Sequence, residues 1–189
     1  KRFFRINGDI FLRTLCLVTV TIWFTRTGAR QGEEMLAVNA LLMQFFTLFS
    51  FFMDGFGFSG EALAGKYIGA KDPVHLAESV KKICRWGLLV AAIFTIIYTI
   101  GGDLLLQLLS DDNRVVTHAH EYLYWVITIP LAGFLAFTWD GIFIGATATR
   151  DMLMSMACAT AIFFAVYFIA YPSLGNHGLW LAFICYLLT

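Results

Sequence analysis

Four ionisable side chains fall inside or at the edge of long apolar stretches: Arg13, Asp54, Glu61 and Asp140. Placing a charge in a bilayer is costly, so such residues are there to pair, to bind a proton or to move an ion. An arginine facing carboxylates across a bundle favours their ionised form, whereas a carboxylate alone in a dry pocket titrates nearer neutrality. Either arrangement can couple a proton or a sodium ion to a conformational change. Plainer roles compete: Arg13 can snorkel to the headgroups, and Glu61 can sit at the interface. Asp140 lies in the run Phe137-Thr-Trp-Asp-Gly-Ile-Phe143, which has no basic residue one turn away. Its partner must come from another element, or it must bind a proton.

These residues need a membrane to make sense. Of 189 residues, 59% are hydrophobic, 14% are charged and 19 are Phe, and the mean hydropathy is +0.75. That composition cannot supply the polar surface of a soluble domain, and it excludes disorder, a coiled coil, a collagen repeat and a small disulfide scaffold. Lys+Arg and Asp+Glu both number 13, so no basic field points to nucleic acid. Cys16, Cys84, Cys158 and Cys185 form no C-x-x-C pair and read as small apolar packing residues, not as disulfides or metal ligands. The class is all-α: a polytopic helical membrane protein. The chain starts at Lys1 and stops at Thr189 within an apolar run, which reads as part of something larger.

A spanning helix needs about 20 apolar residues at about 1.5 Å each. On that scale the spans are expected at 8–29, 35–69, 83–101, 114–147, 152–172 and 178–189, the last one truncated. The second is too long for a roughly 30 Å core and must tilt, kink or emerge. Asp103–Leu109 is either a helix extension or an interfacial turn. Ser110-Asp111-Asp112 supplies N-cap residues for the fourth span, and Tyr171-Pro172-Ser173-Leu174-Gly175-Asn176 supplies the break before the sixth. With six alternating spans, one side collects Lys1, Arg2, Arg5, Arg13, Lys66, Lys71, Lys81, Lys82, Arg85 and Arg150, and the other only Arg26, Arg30 and Arg114. The basic side is expected to be cytoplasmic. Arg13, Asp54 and Asp140 then fall in the cytoplasmic half. Asp54 and Glu61 are seven apart and share a helix face. Arg13 is expected to pair with an acid of the second or fourth span.

The polar residues Gln44, Asn39 and Thr138 lie mid-span and are candidates for a substrate cavity, although Gln44 can equally bond a neighbouring helix. Phe45, Phe46, Phe49, Phe51 and Phe52 can contact an aromatic substrate, or face lipid and core. The small residues Gly55, Gly57, Gly60, Ala64, Gly65 and Gly69 are expected to pack the second helix, and Gly65-Lys-Tyr-Ile-Gly69 is a G-x-x-x-G match, a common sign of close helix packing. His118 and His120 are two apart and do not share a helical face, so a metal site is not expected. No nucleotide-binding loop, G-x-S-x-G elbow or H-E-x-x-H occurs. That argues against an intrinsic ATPase pump and against a membrane hydrolase. No cofactor is called for.

Several motifs in order resemble the multidrug and toxic compound extrusion (MATE) family. Phe52-Met-Asp-Gly-Phe-Gly-Phe-Ser-Gly-Glu-Ala-Leu-Ala-Gly-Lys-Tyr-Ile-Gly-Ala-Lys-Asp72 is similar to the family's eighth helix and the turn that closes it. Leu108-Leu-Ser-Asp-Asp-Asn-Arg-Val-Val116 resembles the link into the tenth helix. Asp140-Gly-Ile-Phe-Ile-Gly-Ala146 with Thr149-Arg150-Asp151 resembles the end of that helix and the loop after it. Arg5-Ile-Asn-Gly-Asp-Ile-Phe-Leu-Arg-Thr14 looks like the DNA-damage-inducible branch.

The resemblance implies the C-terminal lobe of a two-lobe secondary antiporter in a bacterial plasma (inner) membrane. Its partners would be the lipid bilayer, small amphipathic organic substrates and the N-terminal lobe of the same protein. It also implies that Asp140 occupies an acidic position used for ion coupling, and that Gln44 falls where some members carry a helix-eight Glu. Cys16–Thr25 contains no carboxylate to match the seventh-helix Glu of the sodium-linked branch, which favours H⁺ over Na⁺. Two other readings compete. A lipid-linked precursor flippase of the same superfamily would have a more cationic centre than Arg13 alone provides. A membrane-embedded enzyme would have to use His118, His120 or His177.

Overall fold

The structure, a computed structural model, describes residues 2–189, with side chains from Ile6 onward. Six helices follow one another: Arg2–Arg30 (α1), Glu33–Gly69 (α2), Pro73–Leu109 (α3), Asn113–Gly145 (α4), Thr149–Leu174 (α5) and Asn176–Leu188 (α6). There are no strands among the described residues. The first five are long and apolar enough to cross a membrane, whereas α6 has only 13 residues. Phe11, Ile22, Ile100, Leu108 and Ile169 are all more than 60% exposed, large apolar side chains that call for apolar surroundings instead of water.

The helices run past the apolar stretches that mark them. α3 begins ten residues before Ile83, because Asp72 caps it and Pro73 sits in its first turn. The Asp72 carboxylate accepts the backbone N–H of His75 at 3.1 Å, and that bond holds its pKa below the usual carboxylate range. At the other end, Asp103–Leu109 continues α3 as helix, so α3 is about 55 Å long against a core of roughly 30 Å. α4 is capped by Asp112, whose side chain accepts the Arg114 N–H at 2.9 Å. Pro172 does not break the chain. α5 runs through it, and the reversal falls at Gly175, whose φ of +56° with ψ of −128° is open only to glycine.

Two turns share one construction. Gly69-Ala70-Lys71-Asp72 and Gly145-Ala146-Thr147-Ala148 each place their third residue at positive φ, 55° for Lys71 and 53° for Thr147. In each, the fourth residue's N–H returns at 2.9 Å to a carbonyl five residues back, Tyr67 or Phe143. Such closures satisfy carbonyls that the helix end would otherwise orphan. Both lie at the end of the bundle that carries the basic loops, called here the basic end.

α4 is central and packs on α2, α3, α5 and α6, while α1 packs on α2, α5 and α6. α2 and α4 run parallel in one constant register. Glu34 meets His118 near one end, Gly57 meets Gly141 further down, and Glu61 meets Gly145 at the basic end. A Cβ added at Gly141 or Gly145 would collide with the backbone of Gly57 or Glu61. The close helix crossing therefore uses Gly57 and Gly60 with Gly141 and Gly145. Of the G-x-x-x-G pair noted in the sequence, Gly65 approaches the Gly145 carbonyl, but Gly69 faces open space.

The aromatic run of α2 divides by face. Phe45 and Phe49 are buried in the core against Tyr98, Phe94 and Phe137. Phe46 packs on Phe137 and Phe183, whereas Phe51 and Phe52 point outward at 69% and 55% exposure. All four cysteines are free.

At the end opposite the basic loops, a buried polar network ties α2 to α6. Asn39 and Asn176 exchange amide hydrogen bonds, each 2.9 Å, and the Trp180 indole N–H donates to Asn39 Oδ1 at 3.0 Å. Gln31 donates to Asn176 Oδ1 at 3.2 Å. Removing one partner leaves buried donors unpaired, which costs about 1–3 kcal/mol per group. Asn39→Leu and Asn176→Leu are each expected to destabilise the protein by about 2 kcal/mol, and the double variant by less than the sum. Denaturant unfolding of the four proteins in detergent checks this, and additive losses would show that the amides do not interact.

Candidate functional site

α1 and α4 do not pack against each other directly among the described residues. An ion pair spans the distance between them. Arg13 Nη2 lies 2.5 Å from Asp140 Oδ1, with the side chains only 18% and 32% exposed. Arg13 is about 10 Å along the apolar span that opens at Ile6, and Asp140 is about 8 Å before the end of α4 at Gly145. Asp140 thus finds on α1 the basic partner that its own helix does not supply, and Arg13 reaches a carboxylate of the fourth helix.

The sequence places both side chains inside spans. Their meeting depends on the α2–α4 contact, which fixes where Asp140 points. Gly141 and Gly145 face α2, so the adjacent Asp140 is carried to the flank of that contact, towards α1. Arg13 Nε is buried without a hydrogen-bond partner. The pair therefore leaves part of the guanidinium unsatisfied, and a second acceptor would be favourable there.

Asp54, exposed on α2, is within electrostatic reach of Asp140. The cluster thus holds two carboxylates and one guanidinium. Glu61, half-buried at the basic end, makes no ion pair among the described residues. Its backbone, not its carboxylate, is what α4 contacts. The structure therefore brings together Arg13, Asp140 and Asp54, and leaves Glu61 to one side.

Tyr186 of α6 is a member that sequence reasoning missed. Its hydroxyl donates to Met156 Sδ at 3.1 Å and lies within electrostatic reach of Arg13 and Asp140. Nothing in an apolar run marks one tyrosine as belonging to a cluster 46 positions away. Asp9 was also missed: it accepts the Thr149 hydroxyl at 3.0 Å and joins the start of α1 to the start of α5.

The three residues expected along a substrate cavity are not gathered. Asn39 is buried in the α2–α6 amide network. Thr138 is fully buried, donates to the Phe134 carbonyl at 2.7 Å and packs against Gly87 of α3. Gln44 lines a groove of about 310 Å³ with Thr47, Phe51 and Leu105, and every residue lining it belongs to α2 or α3. Alternation along one helix told which residues were mid-span, but not which neighbour each would face.

A bundle of helices long and apolar enough to cross a membrane, with an ion pair bridging two of them, is the architecture of a polytopic membrane protein. The chain belongs to the MatE family, a family of membrane transporters, whose model matches residues 9–169. It is 37% identical over 187 residues to DNA damage-inducible protein F of Escherichia coli (strain K12), covering 99% of this chain and 40% of that protein. It is 22% identical to Protein DETOXIFICATION 42 of Arabidopsis thaliana, covering 97% of this chain and 36% of that one. Among solved structures, a crystal structure of MATE in the bent conformation superposes with a TM-score of 0.79 at 17% identity, covering 99% of this chain and 42% of that one. The chain thus spans about two-fifths of the length of the relatives it matches.

Proposed function

We propose that this chain is the C-terminal lobe of an ion-coupled exporter of amphipathic organic compounds in a bacterial plasma membrane, driven by H⁺ in preference to Na⁺. The observation that carries the reading is the Arg13–Asp140 pair, which links α1 to α4, two helices whose backbones do not approach closely among the described residues. One carboxylate can hold the Arg13 guanidinium, a proton or a cationic substrate, but not all at once. Protonation of Asp140 removes the attraction that holds α1 to α4, and α1 is then held only by its packing on α2, α5 and α6. Ion binding is thereby converted into a change of helix position, as an antiporter requires. Asp54 adds a second negative charge that a cationic substrate or a sodium ion can share. Thr138 packs α4 on α3 two residues from Asp140, whereas Asn39 ties α2 to α6 at the opposite end of the bundle and Gln44 lines a separate α2–α3 groove. The N-terminal lobe would close the cavity from the other side.

The test uses the intact transporter in liposomes with an acidic interior and a pH-reporting dye inside. Adding ethidium outside in sodium-free buffer is expected to speed dissipation of the pH gradient. A response that requires a sodium gradient would overturn the proton assignment, and indifference to both gradients would overturn ion coupling.

A further inference from the structure

Three of the four histidines lie at the end of the bundle opposite the basic loops, all on or against α4. His118 Nδ1 is 2.8 Å from Glu34 Oε1 of α2. His120 Nε2 is 3.1 Å from Asp103 Oδ1 of α3. His177 of α6 approaches α4 from the other side: its Nδ1 lies 2.8 Å from the Tyr124 hydroxyl and 3.2 Å from Trp125 Nε1. His118 and His120 do not share a face, as their spacing required, and so reach two different helices.

The contacts have opposite requirements. A carboxylate attracts an imidazole most strongly when the ring is charged. An indole N–H can only donate, so the Trp125 bond needs a bare lone pair on His177 Nδ1. Protonating that nitrogen leaves Trp125 without its acceptor, although Tyr124 can still accept. Histidine is the side chain that ordinarily changes charge between about pH 5 and 8. Around α4 at this end, α2 brings Glu33 and Glu34, α3 brings Asp103, α6 brings His177 and α5 brings Tyr171. α4 itself carries Arg114, Glu121, Tyr122 and Tyr124, and the turn before it Asp111 and Asp112. α1, which packs on α6, brings Arg26 and Arg30 to the same end. Glu33, Glu34, Asp103, Asp111, Asp112 and Glu121 outnumber Arg26, Arg30 and Arg114, so charging the histidines is not opposed by a net basic cluster.

We infer that the end of α4 remote from the basic loops is an acid-responsive clamp: acidification draws it onto Glu34 of α2 and Asp103 of α3 through His118 and His120, and loosens it from α6 through His177. The device is separate from the Arg13–Asp140 pair and does not rest on it. It would set how α4 is held according to the pH of the compartment that this end faces. The acid pairs are exposed, His118 and Glu34 by 44% and 51% and His120 and Asp103 both by 63%. Each therefore changes a local opening equilibrium by a factor of only about 1.5 to 5.

Hydrogen exchange of the intact transporter in lipid nanodiscs at pH 5.5 and 7.5, corrected for intrinsic rates, reads the clamp. Protection of residues 113–121 is expected to rise roughly three- to tenfold at pH 5.5, while that of 176–181 falls. In His118→Gln/His120→Gln the rise at 113–121 should vanish and the fall at 176–181 remain. Glu34→Gln/Asp103→Asn keeps the histidines and should also lose the rise, which guards against a fold defect in the histidine variant. His177→Gln should lose only the fall. A flat response in the unmodified protein, or an undiminished rise at 113–121 in both double variants, overturns the clamp.

Discussion

Replacing Asp140 by Asn is expected to lower ion-driven efflux by the intact transporter at least about tenfold, equivalent to about 1.4 kcal/mol in the rate-limiting barrier, while leaving the protein folded. Asn has the volume of the acid and can still accept a hydrogen bond from Arg13 at the position of Asp140 Oδ1. It cannot gain or lose a proton, and it cannot neutralise a cation. If the carboxylate is the group for which Arg13, a proton and a substrate compete, the variant is fixed in one electrostatic state. Removing one partner of a poorly solvated ion pair also leaves the other charge uncompensated, which can itself cost up to about 3–5 kcal/mol when burial is complete. Arg13→Gln in the Asp140→Asn background separates the two effects, because it removes the orphaned charge. The double variant should recover stability without recovering efflux. Thermal unfolding in detergent and efflux from vesicles read the two quantities independently. Undiminished efflux with a normal pH profile in Asp140→Asn would assign the pair to structure and move coupling to another part of the transporter.

The largest expected loss of stability comes from Gly141→Val. Gly141 packs directly on the backbone of Gly57, and even a single methyl there would overlap it. The obstacle is main chain on a neighbouring helix, which cannot rotate away as a side-chain tip can. Overpacking a core by ordinary side-chain contacts costs about 1–3 kcal/mol, and a backbone collision should exceed that range. α2 and α4 must separate or shift register. Because Asp140 is the neighbouring residue, the shift should also break its pair with Arg13. Gly141→Val is expected to give little folded protein by size exclusion. Gly141→Ala should fold with a lowered midpoint and reduced efflux. Gly69→Ala is the control: Gly69 has open space, so the variant should behave as the unmodified protein. Equal behaviour of Gly141→Val and the unmodified protein would show that the helices do not approach as described.

Composition and hydropathy by themselves determined the class: long apolar runs cannot be soluble, and their lengths in units of about 1.5 Å per residue fix how many helices they make. The cap at Asp112 was determined locally too, since a side chain and an N–H two residues on need no other element. So was the cost of Arg13 and Asp140, which follows from their being charged inside a span.

Tertiary structure decided everything that depends on how one helix is rotated against another. The sequence showed a row of small residues on α2, Gly57 and Gly60 among them, but not their partners: the parallel register of α2 and α4 brings Gly141 and Gly145 onto the backbone of Gly57 and Glu61. Asn39, Gln44 and Thr138 are alike in depth and part company in direction. One reaches Asn176 on α6, one lines a groove with α3, and one faces Gly87. Tyr186 joins the charged cluster only because α6 folds back beside it. Periodicity along a helix places residues on a face, but the azimuth of that face towards its neighbours is set by packing summed over the whole bundle. That is why the two charges could be read from the sequence, whereas the gap they bridge between α1 and α4 could not.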